Sequence, residues 1–135
     1  MTAIRRVFLD TSVLVRYFAD DDPPRSFAAA ELVDSDIALC LSTAVLMETV
    51  HVLRTQIGLD NPGLSDLLVA FLTRSNVELE DADKGGAVAA LQRARSMSPR
   101  RILDALIAEA AVQSGSDSIV AFDRSFPASI PVRLL

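Results

Sequence analysis

A single cysteine, Cys40, a single histidine, His51, and a single lysine, Lys84, are all that this 135-residue chain offers of three residue types on which much enzyme chemistry rests. One cysteine excludes an internal disulfide framework and a thiolate zinc site built from one chain. In the stretch IALCLS it reads as buried filler of a strand. One histidine argues against a multi-histidine metal site and against most histidine-based nucleophilic triads. Whatever chemistry occurs must then rest on carboxylates. Glycine and proline are also scarce, at five and six residues, so the chain is not a disordered one. No apolar run approaches the roughly 18 residues that a membrane span needs. The N-terminal stretch MTAIRRVFLDTS lacks the length and cleavage site of a signal peptide, and the expected location is cytoplasmic, away from membranes.

What is present is a globular composition, 50% hydrophobic and 23% charged. The length fits one domain over residues 1–135. A mean hydropathy of +0.33 leaves apolar surface for a partner. The net charge of −5 normally argues against a nucleic-acid partner. That objection weakens if acids are gathered into one metal site: four of them would account for four of the five excess charges, and two divalent ions would more than offset the site. Arg93, Arg95, Arg100, Arg101 and Arg124 meanwhile cluster in the last third.

Along the chain, Arg6 to Leu9 reads as a strand buried on both faces, followed by a short helix through VLVRYFA. Asp22 caps a helix with prolines in its first turn, and Asp20 to Asp22 read as cap and solvated loop. DIALCLS is a second strand, and Ser42 caps a long helix closed by Gly58. A helix from about Pro62 to Arg74 precedes the short strand NVELE. Asp81 or Asp83 caps a helix to about Met97, with Gly85 and Gly86 weakening its start. Ser98 at N-cap and Pro99 at N1 open a last helix that ends near Gly115. DSIVAF and VRLL are the closing strands. This order predicts an α/β fold, a mainly parallel central sheet of four to five strands flanked by helices in three layers.

Four acids sit in apolar company. Asp10 ends the first strand and Asp123 ends SIVAF, so a parallel sheet would bring both to its carboxyl edge, where ligands bind in open α/β sheets. Asp10 is equally suited to capping the next helix. Glu48 lies within AVLMETVHVL and Asp104 within ILDALIAEAA, where a carboxylate is disfavoured unless paired. Four carboxylates brought together would repel unless a cation entered. A hard divalent ion, Mg²⁺ or Mn²⁺, suits such oxygen ligands, and the arrangement is one used for phosphodiester hydrolysis. Each acid has the alternative of an arginine partner, for example Asp104 with Arg100 or Arg101.

The stretches VFLDTSVLVRYF, TAVLMETVHVLR, RRILDALIAEAA and IVAFDRSF, in that order and at those separations, resemble the PIN domain, and within it the VapC-type toxins of toxin–antitoxin pairs. The resemblance spans about Phe8 to Phe126. It implies a Mg²⁺- or Mn²⁺-dependent endoribonuclease whose metal-holding, catalytic quartet is Asp10, Glu48, Asp104 and Asp123. It also implies an RNA substrate (tRNA, rRNA or mRNA), a homodimer, and a cognate antitoxin that covers the site. Two positions depart from the family pattern: Ser12 stands where asparagine is frequent, and Ala121 where a hydroxyl residue is frequent, which removes a hydrogen bond near Asp123. His51, three residues after Glu48, reads as structural, and Arg124 as either a phosphate contact or a surface ion pair.

Two other functions are compatible with aspartates at strand tips. An aspartate phosphoacceptor or phosphatase-like domain wants a lysine near the phosphate, and Lys84 has no strand directly before it. A PIN-like module without catalysis would act through its apolar surface.

Overall fold

Leu9, Leu39, Leu41 and Val77 are almost fully buried, and around them a three-stranded parallel sheet forms the centre of the molecule. In a computed structural model of the chain, described over residues 5–98, 101–122 and 129–135, the strands β1 (Arg6–Phe8), β2 (Ala38–Leu41) and β3 (Val77–Leu79) lie in the order β1-β2-β3. The apolar run of β2 takes the middle position, as expected for a strand covered on both faces. Its register sets Phe8 beside Cys40 and Leu41 beside Leu79. Two further strands, β4 (Ile119–Ala121) and β5 (Val132–Leu134), pair parallel in a second sheet. Where one central sheet of four to five strands was expected, the described residues form five strands divided into sheets of three and two. The first strand departs from expectation in one respect: β1 is an edge, and its Phe8 is 55% exposed.

Among the described residues, six α-helices surround the strands: α1 (Thr11–Phe18), α2 (Pro23–Val33), α3 (Thr43–Val52), α4 (Asn61–Leu72), α5 (Lys84–Ala94) and α6 (Arg101–Gln113). Their starts follow local chemistry. Asp10, Asp22, Ser42, Asp60 and Asp83 each accept a backbone N–H of the first turn through the side chain, as capping residues do. Asp81 does not cap α5. It accepts from Thr43 N and Oγ1 at 2.8 and 2.9 Å and ties the exit of β3 to the start of α3. The helix expected to run to Gly58 is α-helical only to Val52. Leu53–Ile57 widen into a π-helical turn, closed by Gly58 at φ 84°, a conformation that costs glycine little. Gly86 weakens α5 locally but lets α6 approach, because a Cβ there would collide with the Glu109 carboxylate. Cys40 is buried as anticipated, while Pro99 and Arg100 lie outside the described residues. Among the described residues, no helix is long and apolar enough to cross a membrane.

Two asparagine clamps hold this arrangement. Asn76 Nδ2 donates to the carbonyls of Ser35 and Ile37, fixing the entry to β2. Asn61, 2% exposed, donates from Nδ2 to the carbonyls of Ala94, Met97 and Ser98 at 3.2, 3.1 and 2.8 Å. It joins the start of α4 to the end of α5, a long-range contact that moved the helix start one residue before Pro62. Truncating it removes three hydrogen bonds made from an almost fully buried side chain, so Asn61→Ala is expected to lose about 1–3 kcal/mol of stability. Urea unfolding should show a lower midpoint at unchanged slope, whereas Asp66→Ala, which removes an exposed partner of Arg95, should move it little. Equal effects of the two would rule out the clamp.

Candidate active site

β1 ends at Phe8, and Leu9, buried, donates its N–H to the Cys40 carbonyl at 2.7 Å. That last rung leaves Asp10 at the carboxyl edge of the sheet, one residue before α1. Its anticipated role as a helix cap is present. It caps α1, accepting from Ser12 N at 3.2 Å and from Ser12 Oγ at 2.6 Å, both on Oδ2, and it lines a cavity of about 670 Å³. The Ser12 hydroxyl, followed by the Ser12 N–H, holds the Asp10 carboxyl below its ordinary pKa, because both bonds favour the charged form. Ser12, the departure from the family pattern, therefore works directly on the acid two residues before it.

Glu48 lines the same cavity. Its helix buries Leu46, Thr49 and Val50 and turns Glu48 outward, so the apolar neighbours that suggested a core acid belong to the other face. Helix α3 packs on α1, which brings the two acids to one space. The rings of Tyr17 and Phe18 at the far end of α1 pack at steep angles against Phe71 of α4, with centroids 6.2 and 5.8 Å away, and anchor the helix that Asp10 begins.

Asp104 sits on the first turn of α6, half-buried, with Oδ2 3.7 Å from Arg101 Nη1. The arginine partner anticipated from helical spacing is thus present, and Asp104 is not part of the cavity wall formed by Asp10 and Glu48. Asp123 and Arg124 lie outside the described residues. Among the described residues, no three His, Cys, Asp or Glu side chains stand together in a way that would hold a metal ion. Two carboxylates on one water-accessible cavity do fit Mg²⁺, which is commonly held by one or two carboxylates and keeps several waters.

Arg93 and Arg95 are engaged by Glu109 and Asp66 at 3.3 and 3.1 Å, while Arg16 and Arg25, from two helices, line the cavity with the acids. Only the folded α1–α2 hairpin makes them neighbours. His51 is exposed on α3. Lys84 Nζ donates to the carbonyls of Arg74 and Val77 at 3.2 and 2.8 Å, so its ammonium is committed to backbone rather than to a phosphate beside Asp10, against the phosphoacceptor alternative.

A family model described as the PIN domain matches residues 7–128. The chain belongs to the PIN domain family. Among solved structures, this PIN domain is similar to the crystal structure of Mycobacterium tuberculosis VapC20, a sarcin–ricin loop cleaving toxin, at 21% identity over 88% of this chain and 91% of that one, with a TM-score of 0.44. No curated protein matches the chain.

The Ser12 bonds give a sign to the pH response of this PIN domain. A carboxyl whose pKa is lowered on folding contributes stability above its unfolded value, near about 3.9, and loses it as pH falls through the folded value. In Ser12→Ala the Asp10 pKa is expected to rise toward the ordinary range, read by carbon-detected NMR titration of the Asp10 carboxyl. Acid unfolding should then be less steep in the variant over that window. An unchanged Asp10 titration would remove Ser12 from this role.

Proposed function

We propose that this PIN domain, acting as one domain over residues 1–135, is a divalent-metal-dependent endoribonuclease and the toxin of a toxin–antitoxin pair. The observation that carries this reading is the convergence of Asp10 and Glu48 on one cavity at the carboxyl edge of the sheet, in a chain of the PIN family. Asp10, Glu48, Asp104 and Asp123 are the proposed metal-holding and catalytic acids. Support for the first two is their shared cavity, and for the last two the sequence resemblance. The toxin assignment, the RNA substrate (tRNA, rRNA or mRNA), a cytoplasmic location, a homodimer and an antitoxin that covers the site rest on the sequence reading as well.

A bound Mg²⁺ or Mn²⁺ would neutralise the scissile phosphate and make a water more acidic. The chain's own residues do the rest. Ser12 orients the Asp10 carboxylate through two hydrogen bonds to Oδ2, which also favour its charged form. Glu48, exposed on the face of α3 that meets the cavity, accepts a hydrogen bond from the attacking water and orients it. Asp104, which pairs with Arg101, is assigned to the site by the sequence resemblance.

The test is incubation of the purified protein, free of antitoxin, with total tRNA and rRNA in Mg²⁺, in Mn²⁺ and in EDTA. Discrete cleavage products are expected only with metal, and Asp10→Asn, which keeps a competent helix cap, should cut at least about 100-fold more slowly. Glu48→Gln should slow the reaction in the same direction. Intact RNA in every condition, together with no heat of Mn²⁺ binding by calorimetry, would favour the inert binding module instead.

A further inference from the structure

The cavity is larger than ion binding requires. At about 670 Å³ it falls in the middle of the range that encloses organic ligands, roughly 300–1,000 Å³. Beyond the two acids its wall carries two arginines, Arg16 from α1 and Arg25 from α2, and otherwise mostly small aliphatic surface such as Ala28, Ala29 and Val52. Each arginine is steadied by the acidic turn between its helices. Arg16 Nη1 lies 2.7 Å from Asp21 Oδ1, and Arg25 Nε lies 3.4 Å from Asp22 Oδ2. Asp22 is itself the cap of α2, so the turn that stops one helix and starts the next also sets both guanidinium groups. An arginine presents five donors in a planar fork that matches phosphate oxygens. The bond to Asp21 occupies one nitrogen of Arg16.

Resting on the ribonuclease reading above, we propose that Arg16 and Arg25 form a phosphate-gripping subsite for the RNA strand beside the scissile position. Among the described residues the cavity wall has no aromatic ring on which a base would stack, so the two arginines fix the register of the backbone without choosing a base, as phosphate contacts do. Asp21 and Asp22 are positioning residues for it.

Binding of a fluorescein-labelled, random-sequence 12-nucleotide single-stranded RNA, followed by anisotropy in fixed Mg²⁺ in the Asp10→Asn background, tests this across a salt series. Each phosphate contact contributes about 0.7 to the slope of log K against log salt for single strands. Arg16→Ala and Arg25→Ala should each lower the slope by about that amount and weaken binding. Arg16→Lys and Arg25→Lys should restore most of the slope, which also separates lost charge from lost folding. Arg133→Ala, on β5 away from the cavity, should leave the slope unchanged. RNA bound with unaltered slope in both alanine variants overturns the subsite and leaves the nuclease standing. No RNA binding at low salt by the Asp10→Asn protein overturns both.

Discussion

What happens in the cavity depends on the register in which β1 pairs with β2. Phe8 lies opposite Cys40, and the rung from Leu9 to Cys40 carries the pairing one residue beyond the strand. Asp10 and Ser42 therefore reach the same edge of the sheet, where each begins a helix. A slip of one residue would turn Leu9 out of the core and Asp10 into it, since side chains alternate between faces. The cost of burying a carboxylate guards against that slip. The same residue that gives the site its charge also fixes the alignment on which the site depends.

From that edge the two helices diverge in role. Helix α1 presents Asp10 at its first turn and Arg16 near its last, while α3 shows its apolar side to the core and Glu48 to the cavity. Helix α2 returns from the Asp20–Asp22 turn and closes the space with Arg25 and Leu32. An aspartate-rich turn is unremarkable as sequence, being the composition of any solvated loop. In the fold it becomes a frame, with one acid for each arginine and one of them doubling as a cap.

How far the sequence reached follows the range of the forces involved. Caps at Asp22, Ser42 and Asp83, the left-handed Gly58 and the buried Cys40 were legible because they depend on neighbours within a few residues. Asp81 was ambiguous for that same reason: its partner is Thr43, 38 positions away. Asn61 gave no local signal because all three carbonyls it serves belong to a distant helix end. The edge position of β1 and the exposure of Phe8 depend on strand order, which apolar runs do not encode. Of the four acids, Asp10 and Glu48 are brought together. Asp104 has taken the arginine its spacing offered, and Asp123 lies outside the described residues.

On the proposed reading, an acidic chain that handles RNA faces a conflict that the cavity resolves locally. Arg16 and Arg25 are already balanced by Asp21 and Asp22, so the excess charge at rest is that of Asp10 and Glu48, and it repels a phosphate. On the proposed reading, a divalent ion cancels that excess, and only then does the pair of guanidinium groups act as a net attraction. On that reading metal and RNA binding would be linked through charge alone, with no conformational change required. The arginine–aspartate pairs set the strength of the link: they hold the guanidinium groups ready and yet weaken their pull, so that the phosphate must compete with carboxylates for the remaining donors. A binding site built this way discriminates against anions that arrive without the ion, which a simple basic patch cannot do.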